Sequence, residues 1–153
     1  MQFGIRDEEF IRGKVPMTKA EIRAMVMVKA GIRPEDRVAD IGAGTGSISI
    51  EAALAASKGE VYSIERNPEG IRLIEENAEK FGLKNIHTIK GVAPAAMDGL
   101  PPLDVVIIGG SSGNMHEILD RAEALLPKGG RIILTAVTAE TTGEVVREFE
   151  NRP

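Results

Sequence analysis

The 153-residue chain has no cysteine, no tryptophan, one tyrosine and four phenylalanines. Without cysteine there is no disulfide, no thiolate metal site and no cysteine nucleophile, and a cytoplasmic protein without a metal is expected. So few aromatic rings leave little from which to build a stacking platform for single-stranded nucleic acid. The net charge of −4 gives no general attraction to a phosphate backbone, and no nucleic acid is expected as a partner. No apolar run approaches the length that crosses a bilayer, so no membrane is expected either. The opening Met1-Gln2-Phe3-Gly4-Ile5-Arg6-Asp7 is charged and lacks the apolar stretch of a signal peptide. Two motifs are missing as well. There is no Gly-Lys-Ser/Thr ending of a P-loop, and no Asn/Asp-Pro-Pro-Tyr/Phe motif of the enzymes that methylate a flipped base.

What is present reads as one globular domain over 1–153, with 42% hydrophobic and 27% charged residues. Short apolar runs alternate with longer amphipathic segments, the pattern of an α/β fold. Strands are predicted over 37–41, 60–65, 86–90, 103–108 and 131–137. The first helix is predicted from Thr18 as N-cap, with Glu21 three residues on, through Ile22, Met25, Val26 and Val28 to Gly31. An amphipathic helix follows over 47–57. The next opens at Asn67-Pro68, carries Ile71, Ile74, Ala78 and Phe81, and stops at Gly82. A short turn or helix is predicted over 93–97 and further helices over 115–126 and 139–150. The segment up to Val15 reads as polar and irregular. These elements predict a doubly wound, mainly parallel Rossmann-like sheet with helices on both faces.

Asp40-Ile41-Gly42-Ala43-Gly44-Thr45-Gly46 falls between the first strand and the second helix, where parallel sheets bind ligands. Glycine allows a ligand close to the backbone, and the helix that follows aims free N–H groups at the site. Glu65, at the end of the second strand, stands about 20 residues beyond the glycines, where nucleotide sites place an acid for the ribose hydroxyls. The spacing is G-x-G-x-G rather than the G-x-G-x-x-G of a dinucleotide site. The acid Asp40 suits an ammonium group better than a pyrophosphate. This D-x-G-x-G-x-G pattern resembles motif I of the class I S-adenosylmethionine-dependent methyltransferases.

Further segments carry a narrower resemblance. They are Asp7-Glu8-Glu9-Phe10, Pro16-Met17-Thr18-Lys19-Ala20-Glu21-Ile22-Arg23, Ile64-Glu65-Arg66-Asn67-Pro68, Gly91-Val92-Ala93-Pro94 and Ile108-Gly109-Gly110-Ser111. With the glycine turn, they resemble the cobalt-precorrin C15-methyltransferase (decarboxylating) family of anaerobic cobalamin biosynthesis. The resemblance implies methylation of C15 of a corrin precursor, cobalt-precorrin-6B, with loss of carbon dioxide from the C12 acetate. It implies an S-adenosylmethionine site at Thr18, Asp40, Gly42, Ala43, Gly44, Thr45, Gly46, Glu65 and Ala93, with Thr18 at the methionine end. Relatives often carry an acid where this chain has Val92.

The loop Gly109-Gly110-Ser111-Ser112-Gly113 would form a smooth wall for a flat tetrapyrrole. Lys14, Lys19, Arg23 and Arg66 are the candidates to meet its carboxylates. No catalytic triad is expected, and His87 and His116 are expected to be structural. Class I enzymes usually add a sixth and a seventh strand, which this chain lacks. The fifth strand would then be an open edge, so either the chain is a fragment or a neighbouring chain covers that region, and the resemblance implies a homo-oligomer, a tetramer. Two other readings stay open: a class I methyltransferase acting on a protein or tRNA, and a cofactor-binding module without catalysis.

Overall fold

The computed structural model describes residues 2–111 and 113–152. Five strands form one parallel sheet in the order β3-β2-β1-β4-β5, with β1 at Arg37–Ile41, β2 at Glu60–Glu65, β3 at Ile86–Lys90, β4 at Val105–Ile108 and β5 at Arg131–Leu134. The α-helices are α1 Ala20–Ala30, α2 Ser47–Ala55, α3 Pro68–Lys80, α4 Met115–Leu125 and α5 Ala139–Glu150. The first three strands match the predicted ranges. The last two are shorter, because β4 finds its register with β1 only from Val105, and β5 pairs with β4 only as far as Leu134.

Alternation along the central strands separates two cores. Val38, Val105 and Ile107 face α1 and α2, while Ala39, Ile41, Val106 and Ile108 face α4. All four residues of β4 are buried, as a strand covered on both faces requires. Burying such a side chain is worth about 1.5–3 kcal/mol relative to exposure. No helix among the described residues is long and apolar enough to cross a membrane.

Two helices differ from their predicted faces, and a third adds polar and glycine positions to its own. The first begins at Ala20 with Lys19 at the N-cap, so Thr18 does not cap it. The Thr18 carbonyl instead accepts a hydrogen bond from the Arg23 guanidinium. Ile22, Met25 and Val28 are exposed, and α1 buries Arg23, Val26, Met27 and Ala30. The helix turns this way because Arg23 has long-range partners: its Nε lies 3.1 Å from Glu51 and its Nη1 3.0 Å from Asp7. The guanidinium also stacks over Phe10, 4.7 Å from the ring centre.

The second helix is buried nearly all round rather than amphipathic, since α1 and α3 flank it on the sheet. The third turns Gly70, Leu73, Ile74 and Asn77 inward. It opens as predicted, with the Asn67 side chain accepting the Glu69 N–H at 2.9 Å and Pro68 in the first turn.

The N-terminal segment is irregular but not merely polar, since Phe10 and Met17 are buried. It forms a strap across α2 and α3. Glu51 accepts the N–H groups of Gly4 and Ile5 at 3.0 and 2.9 Å. Asn77 accepts that of Ile11 at 2.8 Å, and Glu69 that of Lys14 at 2.8 Å.

Candidate functional site

Strand order reverses between β1 and β4, and the chain leaves both strands there through glycine. Gly42, Gly44 and Gly46 adopt φ of 73°, 58° and 81°, a region that side chains disfavour. At Gly42 the need is also steric, because a Cβ would lie 2.8 Å from the Gly110 nitrogen. The amides of Gly42 and Ala43 both donate to the Ile64 carbonyl, at 2.9 and 3.0 Å, which fastens the turn to β2.

Adjoining cavities ring this crossing. One, of about 440 Å³, is walled by Pro16, Gly42, Glu65, Arg66, Val92 and Ala93, among others. A second, of about 370 Å³, has Pro16, Thr18, Lys19, Asp40, Gly44 and Thr135 among its walls. The two share Pro16 and Gly42, so the glycine turn lies between a Glu65 end and an Asp40 end. A third, also about 370 Å³, opens between the loop Gly109-Gly110-Ser111 and α5, whose Glu140 and Glu144 line it. Ser112 lies outside the described residues.

The two acids at the ends of the groove are held differently. One Glu65 carboxylate oxygen accepts the Gly44 N–H at 2.6 Å, and the other accepts those of Arg66 and Asn67 at 2.9 Å each. Gly70 makes room for it: a Cβ there would lie 2.8 Å from Glu65 Cγ and 2.8 Å from the Gly44 carbonyl oxygen. Asp40 is buried and accepts the Ser49 hydroxyl at 2.5 Å, while Ser49 in turn accepts that of Ser63 at 2.7 Å. Burial pushes the Asp40 carboxyl up to about 6, and the charge of Glu65 adds to this while the Ser49 hydrogen bonds oppose it.

Most of the predicted site residues line these cavities. Gly42, Glu65, Arg66 and Ala93 line the first, Thr18, Lys19, Asp40 and Thr45 the second, and Gly110 and Ser111 the first and third. Ala43, Gly44 and Gly109 line the second as well, and Gly46 forms the N-cap of α2 just behind it.

One of the proposed substrate cations does not belong. Arg23 is fully buried and ion-paired within the fold, so it cannot meet a substrate carboxylate. Lys14 lies outside the walls of these three cavities and only its backbone is engaged, at Glu69. Arg66 stands at the Glu65 end, away from the third cavity, while Lys19 stands at the Asp40 end 3.4 Å from Asp7.

The histidines sit on the surface. His87 lies 2.6 Å from Glu60 and stacks on Tyr62, and His116 lies 2.9 Å from Glu148. That carboxylate and Asp120 raise the His116 proton affinity.

Sequence reading missed Ser49, Ser63, Gly70 and Asn77. Only Gly70 carries a signal, since a glycine inside a helix costs about 1 kcal/mol and so asks for a reason.

Comparison with known proteins agrees with this geometry. Residues 9–152 match the family model described as a precorrin methyltransferase domain. A Salmonella typhimurium protein named cobalt-precorrin-6B C(15)-methyltransferase (decarboxylating) is 42% identical over 137 residues, covering 89% of this chain and 70% of the relative. The crystal structure of precorrin-6y C5,15-methyltransferase from Geobacter metallireducens superposes with a TM-score of 0.92 at 38% identity, covering 97% of this chain and 80% of that one. Precorrin 8W decarboxylase from Methanobacterium thermoautotrophicum does so with 0.90 at 38% identity, covering 96% and 80%. With the parallel sheet, the glycine crossing and the paired acids in place, the chain belongs to the precorrin methyltransferase domain family.

Proposed function

We propose that the chain is the S-adenosylmethionine-dependent enzyme that methylates C15 of cobalt-precorrin-6B and releases the C12 acetate as carbon dioxide, in the cytoplasm. The observation that carries this reading is the groove with a carboxylate at each end, Glu65 and Asp40, and three positive-φ glycines between them. Those ends are complementary to a ribose diol and to the ammonium of an amino acid, which is the polarity of S-adenosylmethionine. When bound, that molecule supplies a methyl group activated by a positively charged sulfur.

The chain's own task is then mostly orientation. Glu65 holds the ribose, Val92 and Ala93 flank the base, and Asp40 with Thr18 faces the methionine end. Val92, where relatives often carry an acid, offers packing but no side-chain hydrogen bond, so the base is read by backbone. The loop Gly109-Gly110-Ser111 and the third cavity receive the corrin precursor, and Lys19 is a cation at the mouth for one of its carboxylates. The conjugated macrocycle takes up the electron pair left by decarboxylation, so no side chain is needed as an electron sink.

A turnover assay with the corrin precursor and labelled S-adenosylmethionine tests this directly. Methyl incorporation and carbon dioxide release are both expected. Binding without turnover would favour a cofactor-binding module. Labelling of protein or tRNA with the precursor untouched would favour a different methyltransferase.

We also propose that the chain self-associates, as a tetramer. Ile22, Met25 and Val28 present apolar side chains on α1, and Val137 just beyond β5 is almost fully exposed. Light scattering is expected to give a mass near four chains, and a monomer would contradict this.

A further inference from the structure

Asn77 is fully buried in the last turn of α3, at a position where an apolar residue would ordinarily be expected. Its side-chain amide is completely engaged. The oxygen accepts the Ile11 N–H at 2.8 Å, and the nitrogen donates to the Ile11 carbonyl at 3.1 Å and to the Thr45 carbonyl at 3.2 Å. The amide thus pairs with Ile11 as a neighbouring strand would, and reaches with the same nitrogen into the glycine turn.

Of the other side chains fastening the N-terminal strap, Glu51 ties it to Arg23 of α1 and Glu69 holds it at Lys14, and neither bonds the glycine turn. Asn77 holds both the strap and the turn. Four residues beyond Ile11 the strap crosses the turn itself. A Cβ on Gly44 would lie 3.4 Å from the Pro16 carbonyl oxygen and 3.6 Å from a Val15 methyl, and Pro16 walls both ends of the groove.

We infer that Asn77 is a positioning residue that locks the strap to the glycine turn and thereby sets how tightly the groove grips its nucleoside. This rests on the reading of the groove as an S-adenosylmethionine site. Asn77 lines none of the three cavities and touches no reacting atom, so it acts through Ile11, Pro16 and Thr45. Removing it leaves buried carbonyls and an amide to find other partners, which frees strap and turn to move apart.

The test compares the wild type with Asn77→Ala and Asn77→Asp, and with Asn85→Ala as control. Asn85 resembles Asn77 in kind, donating to the carbonyls of Ala53, Ala56 and Gly59, but it contacts neither strap nor glycine turn. Asn77→Asp has the same shape and keeps the acceptor for Ile11, so it carries the test if the alanine variant does not fold.

Calorimetric titration with S-adenosylhomocysteine is expected to show affinity lowered tenfold or more in the Asn77 variants and within about twofold of wild type in Asn85→Ala. In turnover, KM for S-adenosylmethionine is expected to rise while kcat at saturation stays within about twofold. Without any ligand, hydrogen exchange at Ile11 and at residues 44–46 is expected to speed up in the Asn77 variants alone.

Wild-type affinity in both Asn77 variants would overturn the inference, as would equal weakening by Asn85→Ala. If the wild type binds neither nucleoside, the cofactor reading itself fails and the inferred effect on affinity fails with it. Exchange at Ile11 and the turn then separates that failure from absence of the tether.

Discussion

Substitution of Glu65 by leucine is expected to weaken binding of S-adenosylhomocysteine by about a hundredfold. A carboxylate accepting two ribose hydroxyls makes two charge-assisted hydrogen bonds, each worth about 1.5–3 kcal/mol, and a hundredfold corresponds to only about 2.7 kcal/mol. The estimate sits just below the sum of the two because the side chain also has work inside the protein. Its oxygens accept the N–H groups of Gly44, Arg66 and Asn67, and leucine would leave all three without that partner. Some loss of stability is therefore expected together with the loss of affinity.

Glu65→Gln separates the two effects. It keeps the shape and one acceptor oxygen but turns an NH₂ toward backbone N–H groups, so an intermediate loss of affinity is expected with little change in fold. Calorimetric titration of both variants checks this. Wild-type affinity in Glu65→Leu would mean that the ribose does not lie at that end of the groove.

At Asp40 stability and binding should move in opposite directions. Its carboxyl is raised from 3.8 to about 6 in the folded protein, chiefly by burial. Between pH of about 4 and 6 the folded state therefore holds more protons than the unfolded one. This group's contribution is fully favourable below the unfolded value and is lost as pH rises through the folded one. A shift of roughly two units corresponds to about 3 kcal/mol.

Asp40→Asn is expected to abolish that slope. In denaturant titrations at pH 7.5 it should gain up to about 3 kcal/mol of stability over wild type, with the gain vanishing near pH 4. The same substitution removes the negative charge from the methionine end of the groove, so S-adenosylmethionine affinity is expected to fall at least tenfold. Wild-type affinity is expected to rise with pH through about 6, as Asp40 ionises. A stability difference that does not vary with pH would refute the assignment. A buried acid whose ionisation costs stability while serving a cationic ligand is the compromise that binding sites commonly impose.

The sheet was legible because its signals are local. Apolar runs ending in an acid and a glycine turn place β1 and β2 within a residue, and Asn67-Pro68 starts α3 from its own chemistry. The glycine turn, Glu65 and Ala93 were legible for the same reason, since each stands at a strand end whose position the pattern defines.

The helix faces were not. Ile22, Met25 and Val28 have the spacing of a core face, yet α1 buries Arg23 instead because Glu51, 28 residues away, supplies its counter-charge. Periodicity in α3 found Ile74, which is buried, and Ala78 and Phe81, which pack on the Phe10 cluster, but not Gly70 and Asn77, which turn inward to meet groups at Gly44, Ile11 and Thr45. The same limit misplaced Arg23 as a substrate ligand, because charge is visible in a sequence and its partner is not.

By itself, then, the sequence determined the order of elements, the glycine crossing between β1 and β4 and the acids at its two ends. Those depend on neighbours a few residues apart. Only the tertiary structure decided which polar groups the core absorbs: Arg23 in its ion pair, Asn77 between strap and turn, and Ser49 and Ser63 behind Asp40. A buried polar group is tolerated only where its hydrogen-bond partner is brought to it, and those partners are supplied by distant parts of the chain.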